Sequence, residues 1–97
     1  MIYTLHPGAE MDLRDAAEFY RDRAGTTLSQ SFLEEFEHSV SLLLEYPGIG
    51  SPWRCATRRF IMRRFPYSII YSTASEEIRI LAVAHQSRRP GYWRMRK

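Results

Sequence analysis

An α+β domain is what this sequence predicts, and three observations carry it. A short alternating stretch, "IYTLH", opens the chain. Two stretches of helical period follow with no strand between them, and three β-rich stretches joined by short links come last. The order is β-α-α-β-β-β: a helical hairpin packed on one face of a mostly antiparallel four-stranded sheet. With 97 residues the chain has room for a single modest core, so residues 1–97 are expected to form one domain.

The first strand is expected over Ile2 to His6, where apolar and polar residues alternate until Pro7 and Gly8 break the run. From Ala9 the spacing changes. Leu13, Ala16, Ala17 and Tyr20 fall on one stripe of a helix that Gly25 closes. "TLSQ" reads as a capping box, with Thr27 as N-cap and Gln30 at the third helical position. The second helix then carries Leu33, Phe36, Val40, Leu43 and Leu44 on its apolar stripe and ends at "YPG". "PGIGSPWRCA" reads as a loop because it is rich in glycine and proline.

Three strands are then expected: Arg58 to Phe65, Tyr67 to Ser72 and Ile78 to Ala84. In the first of these, Phe60 and Met62 point one way, while Arg59 and Arg63 share the opposite face. The last is almost continuously apolar, as a central strand covered on both faces would be. The ending "GYWRMRK" is too short to choose between a short helix, an added strand and no regular structure.

Charge divides the chain. Residues 1–50 hold three arginines against nine carboxylates, a balance of −6, and residues 51–97 hold eleven basic residues against two carboxylates, a balance of +9. Thirteen of the fourteen basic residues are arginine, whose planar fork suits phosphate or carboxylate and whose face stacks on aromatic rings. The second half is therefore expected to meet an anion, in a nucleic acid or an acidic protein segment. Arg58, Arg59, Arg63, Arg64, Arg88 and Arg89, with Tyr92 and Trp93, are the residues expected to form that surface. The acidic first half argues against a plain DNA-binding module, since no helix carries a basic face.

Candidates for chemistry are few. His85 stands where an apolar strand stops, and a histidine there more often shapes the following loop than moves protons. A nuclease built on Arg59, His85, Arg88 and Tyr92 is the one enzyme the composition invites. His6 and His38 have no ligand-like companions, and Cys55 is alone, read as a half-buried small residue, so no metal and no cofactor are expected. No small-molecule ligand is expected either. No apolar run reaches the ~18 residues of a membrane helix. The N-terminus also lacks a secretory signal, so a cytoplasmic protein without a membrane partner is expected.

"RRFIMRRFPYSIIY" followed by "IRILAVAHQSRRPGYW" resembles the RelE/ParE superfamily of bacterial type II toxins, with "YPGIG" as support. The resemblance covers nearly the whole chain. It implies a small growth-inhibiting toxin of the kind found in plasmid-stabilising modules. A cognate antitoxin would neutralise it through an acidic or amphipathic segment. RelE-like members cleave messenger RNA on the ribosome with basic side chains and no metal, whereas ParE-like members inhibit DNA gyrase without cutting RNA. At the places where the RelE branch carries two arginines this chain has Ser68 and Gln86, and its two alternate lysines are matched by Arg59 and Ile61. Tyr92 matches. Half of the ribonuclease set is therefore missing, and the resemblance leans to the ParE-like, non-nuclease side.

Overall fold

The computed structural model describes residues 1–96; Lys97 lies outside the described residues. Strand β1 (Ile2–Leu5) leads into helix α1 (Pro7–Ala24), and helix α2 (Thr26–Glu45) follows after one residue. Strand β2 (Ser51–Trp53), a 3-10 turn (Arg54–Ala56), and strands β3 (Thr57–Ile61), β4 (Tyr67–Ala74) and β5 (Glu77–His85) complete the regular structure. The five strands form one mixed sheet in the order β1-β5-β4-β3-β2. Only the β1–β5 pairing is parallel. Among the described residues no helix is long and apolar enough to cross a membrane.

The expected four strands are thus five. The missed strand is the three-residue "SPW" in the predicted loop, too short to show a period of two. Pro52 is tolerated there because β2 is an edge strand, where a missing N–H costs no ladder bond. The boundaries also move. Pro7 and Gly8 do not merely end the strand: they open α1, with Pro7 in the first turn and the His6 side chain as the cap, its Nδ1 accepting from the Gly8 N–H at 2.9 Å. The Thr27 capping box does not form. Gly25, at φ +90°, serves as the end of α1 and the cap of α2 together, and this draws Thr26 and Thr27 into the first helical turn.

The second expected strand, Arg58 to Phe65, stops at Ile61. Met62 N–H donates to the Tyr67 carbonyl at 2.9 Å, so the chain is already turning into β4. Phe65 leaves the sheet and packs into an aromatic cluster with Tyr20 and Phe32, ring centroids 5.2 and 5.3 Å away.

Side chains on one sheet face meet the helices. The row Phe60–Ile69–Val83 crosses β3, β4 and β5 on that face. It packs with Tyr71, Ile78 and Ile80 against Ala16, Phe32, Phe36, Val40 and Leu43. The helical stripes read from the sequence therefore form the core, with Phe32 added to them.

The opposite face carries the rows Ser51–Arg59–Ile70–Ala82 and Ile61–Ser68–Ala84. Here residues 86–96 fold back as a series of turns. Trp93, 2% exposed, forms a second small core with Ile70 and Ala82.

Candidate functional site

β1 pairs with β5 only as far as Ile80, because the chain then turns into α1. The remaining edge of β5 would be open. Asp12 on α1 and the C-terminal turns cover it. The Asp12 carboxylate accepts from the Val83 N–H at 3.2 Å, the Tyr92 hydroxyl at 2.9 Å and the Arg96 guanidinium at 2.8 Å. Arg96 also donates to the Leu81 carbonyl at 3.0 Å. Leu81 is the residue left unpaired by the irregularity opposite Ile70 and Tyr71, so this donor satisfies a carbonyl at a bulge. Side chains thereby replace a ladder partner along an edge that would otherwise invite another strand.

The folded-back segment and the far face of the sheet together enclose a hollow of about 250 Å³. Its floor is Ile61, Ser68, Ile70 and Ala84, and its walls carry Trp53, Arg59, Arg88, Arg89 and Tyr92. The guanidinium of Arg59 lies over the Trp53 ring at 3.7 Å, and that of Arg88 over the Tyr92 ring at 3.7 Å. Among the described residues no carboxylate lines the hollow, and none of Arg59, Arg88 and Arg89 is in an ion pair. The Nε of Arg59 is buried and makes no hydrogen bond.

Residues far apart in sequence and singled out there meet here: Arg59, Arg88, Arg89, Tyr92, and the neutral Ser68 and Gln86. Others of the expected surface lie elsewhere. Arg63 does not share a face with Arg59, since the alternation ends with β3. Arg63 and Arg64 line a separate hollow of about 400 Å³ against α2, with Glu35, His38 and Phe60. Arg64 pairs with Glu35 at 3.3 Å, and the same carboxylate accepts from its backbone N–H at 2.9 Å. Arg58 donates to the Gly50 carbonyl at 2.7 Å and pins the loop before β2. Trp93 is 2% exposed and lines the hollow from the small core it forms with Ile70 and Ala82.

His85 stacks edge-on against Tyr67, centroids 5.0 Å apart, and its Nδ1 accepts from the Ser87 N–H at 3.0 Å. It shapes the loop that leaves β5. Tyr92 is constrained as an acid or base. Burial raises its phenol well above the ordinary value, and the charge and hydrogen bond of Asp12 add to this, outweighing Arg88 and Arg96. Cys55, expected half-buried, is exposed at the 3-10 turn. Among the described residues no cluster of His, Cys, Asp or Glu is placed to hold a metal.

Sequence reasoning missed Asp12 and Trp53. Asp12 reads as one more acidic residue of a helix's first turns, and Trp53 as part of a loop. Only the closing of the chain on itself brings Asp12 to Tyr92, 80 positions away.

A two-helix layer on one face of a mixed sheet, with an arginine-lined hollow on the other, defines a small α+β domain with a cationic far face. The family model described as the ParE toxin of the type II toxin–antitoxin system parDE matches residues 3–90, and the chain belongs to that family. Among solved structures, the one described as the chromosomal ParDE toxin–antitoxin system from P. aeruginosa is similar, with a TM-score of 0.78 and 22% identity. The match covers 88% of this chain and 95% of that one, and at such identity it speaks to the fold. No curated protein matches the sequence.

Proposed function

We propose that this ParE-family toxin acts by binding and inhibiting DNA gyrase, without cutting RNA, and that a cognate antitoxin with an acidic or amphipathic segment neutralises it. The observation that carries the reading is the state of the hollow. It has cationic groups to hold an anion, yet its one phenol is tied to Asp12 and raised away from neutrality. Ser68 and Gln86, neutral groups, line the hollow at the places where the resemblance gives the RelE branch its arginines, which would aim positive charge at a reacting phosphate. Losing such a group removes several kcal/mol of transition-state stabilisation, about 3 for a single donor.

A second reading, a ribosome-dependent messenger-RNA endonuclease, draws on the meeting of Arg59 and Arg88 in one hollow with His85 at its rim. Induction of the chain alone in a bacterial host separates the two, with messenger-RNA 5′ ends and DNA breaks mapped in the same culture. DNA breaks with intact messages are expected. New 5′ ends inside translated codons would sink the binding reading and move His85 and Tyr92 into catalytic roles.

A further inference from the structure

We infer that Gly8, Asp12 and Arg96 form a latch that positions Tyr92 and Arg88 on the wall of the hollow, which makes the three of them positioning residues for whatever binds there. The inference rests on the reading of the hollow as the binding site, and it adds the residues that set its shape from outside. None of the three lines the hollow.

A short series of contacts joins the latch to the wall. The Arg96 guanidinium donates to Asp12 at 2.8 Å and to the Leu81 carbonyl at 3.0 Å, with 19% of its side chain exposed. The Tyr92 hydroxyl donates to the same Asp12 oxygen at 2.9 Å, and Arg96 lies 5.1 Å from the centre of the Tyr92 ring. That ring also carries Arg88 at 3.7 Å, and Arg88 is an arm of the hollow. Arg59 stands on β3 and leans on Trp53, so the opposite wall has no share in the latch. The two walls of one hollow are thus held separately, one by the sheet and the other by side chains from the start of α1.

Gly8 is where the latch finds its room. It lies in the first turn of α1 and outside the left-handed region, so backbone freedom is not what it supplies. A methyl group there would stand 2.4 Å from Nε of Arg96 and 2.5 Å from its Cζ, well inside contact distance. Arg96 could avoid it only by giving up Asp12 or Leu81, and each of those acceptors would then lose a charged donor. Alanine is a far better helix former than glycine, so by propensity alone Gly8→Ala would be neutral or stabilising. The latch reverses that sign.

The test is a double-mutant cycle of Gly8→Ala and Arg96→Ala in the full chain. It is read by melting temperature, by exchange of the Val83 amide that Asp12 holds, and by NMR of the Arg59 and Arg88 Nε–H groups. With Arg96 present, Gly8→Ala is expected to lower the melting temperature and to speed Val83 exchange about tenfold. It is also expected to shift the Arg88 signal while Arg59 stays in place. In the Arg96→Ala background the obstructing side chain is gone, and Gly8→Ala is expected to change none of these or to raise the melting temperature slightly. An equal cost of Gly8→Ala in both backgrounds would overturn the inference, since the glycine would then act through its own backbone. Shifts of Arg59 as large as those of Arg88 would overturn it too, as a sign of general loosening. On induction in a bacterial host, growth arrest is expected to weaken in Gly8→Ala. Full arrest by a variant whose Arg88 signal has moved would overturn the positioning role. Should the wild type itself cause no arrest, the proposed function fails, while the latch is still decided by the cycle.

Discussion

Asp12 collects three donors from two distant parts of the chain, and Tyr92 is one of them. Tyr92→Phe deletes that donor and leaves the carboxylate with Val83 N–H and Arg96. A hydrogen bond to a charged group contributes about 1.5–3 kcal/mol, and the two remaining donors soften the loss to about 1–2 kcal/mol. Urea unfolding measures it. Toxicity is expected to persist in the variant, since the proposed binding reading asks no proton transfer of Tyr92; abolished toxicity with the fold intact would favour the nuclease. His6 offers a second test. Burial lowers its imidazole below the ordinary value, Arg79 and Arg96 push the same way, and Asp12 opposes them. The folded chain thus resists a proton that the unfolded chain accepts near pH ~6.5. This part of the stability is complete above that pH and declines as pH falls from there through the lower folded-state value. His6→Asn keeps an acceptor at the cap and removes the titration, so the drop in melting temperature between pH 7.5 and 5.5 is expected to shrink. An unchanged drop would show that other groups cause it.

Elements were legible where their period was long enough to read. The stripes Leu13–Tyr20 and Leu33–Leu44 became the helical layer, and the runs at Tyr67 and Ile78 became β4 and β5. β2 escaped because three residues have no period, and the end of β3 was misplaced because Met62 looks like one more inward residue while its N–H already closes the turn. The tail was illegible for a different reason. Its turns have no repeating pattern, and what fixes them is Trp93 against Ile70 and Ala82 together with the bonds to Asp12, all of them long-range. The site shares that fate: Arg59 and Arg88 could be picked out by type, but not Trp53 beneath one of them or Asp12 behind the other. Trp93→Ala tests the tail as an element. Removing a buried tryptophan costs about 3–5 kcal/mol, and the detached tail would bare the edge of β5. Amide exchange at Leu81 to Ala84 is expected to accelerate well beyond that at Ile69 and Ile70. Uniform acceleration across the sheet would instead mean that the tail only adds global stability.

The whole molecule is electrically two-sided. The carboxylates of the first half lie on α1 and α2, and the uncompensated arginines lie beyond the sheet. A net charge of +3 would allow weak attraction to any polyanion, and the acidic layer opposes it. A long duplex runs past the arginine face and meets the repulsion of the acidic layer wherever it comes within a Debye length of it, about 8 Å at physiological salt. Glu34, Glu37 and Glu45 are exposed on α2, and replacing all three by glutamine removes three negative charges, leaving +6. The triple variant is expected to keep its melting temperature, because exposed charges contribute little to stability. It is also expected to retard duplex DNA at salt concentrations where the wild type does not. Its affinity should fall with salt at a logarithmic slope of about −0.9 for each phosphate engaged. If the variant retards DNA no better than the wild type, the charge of the helices does not limit duplex binding.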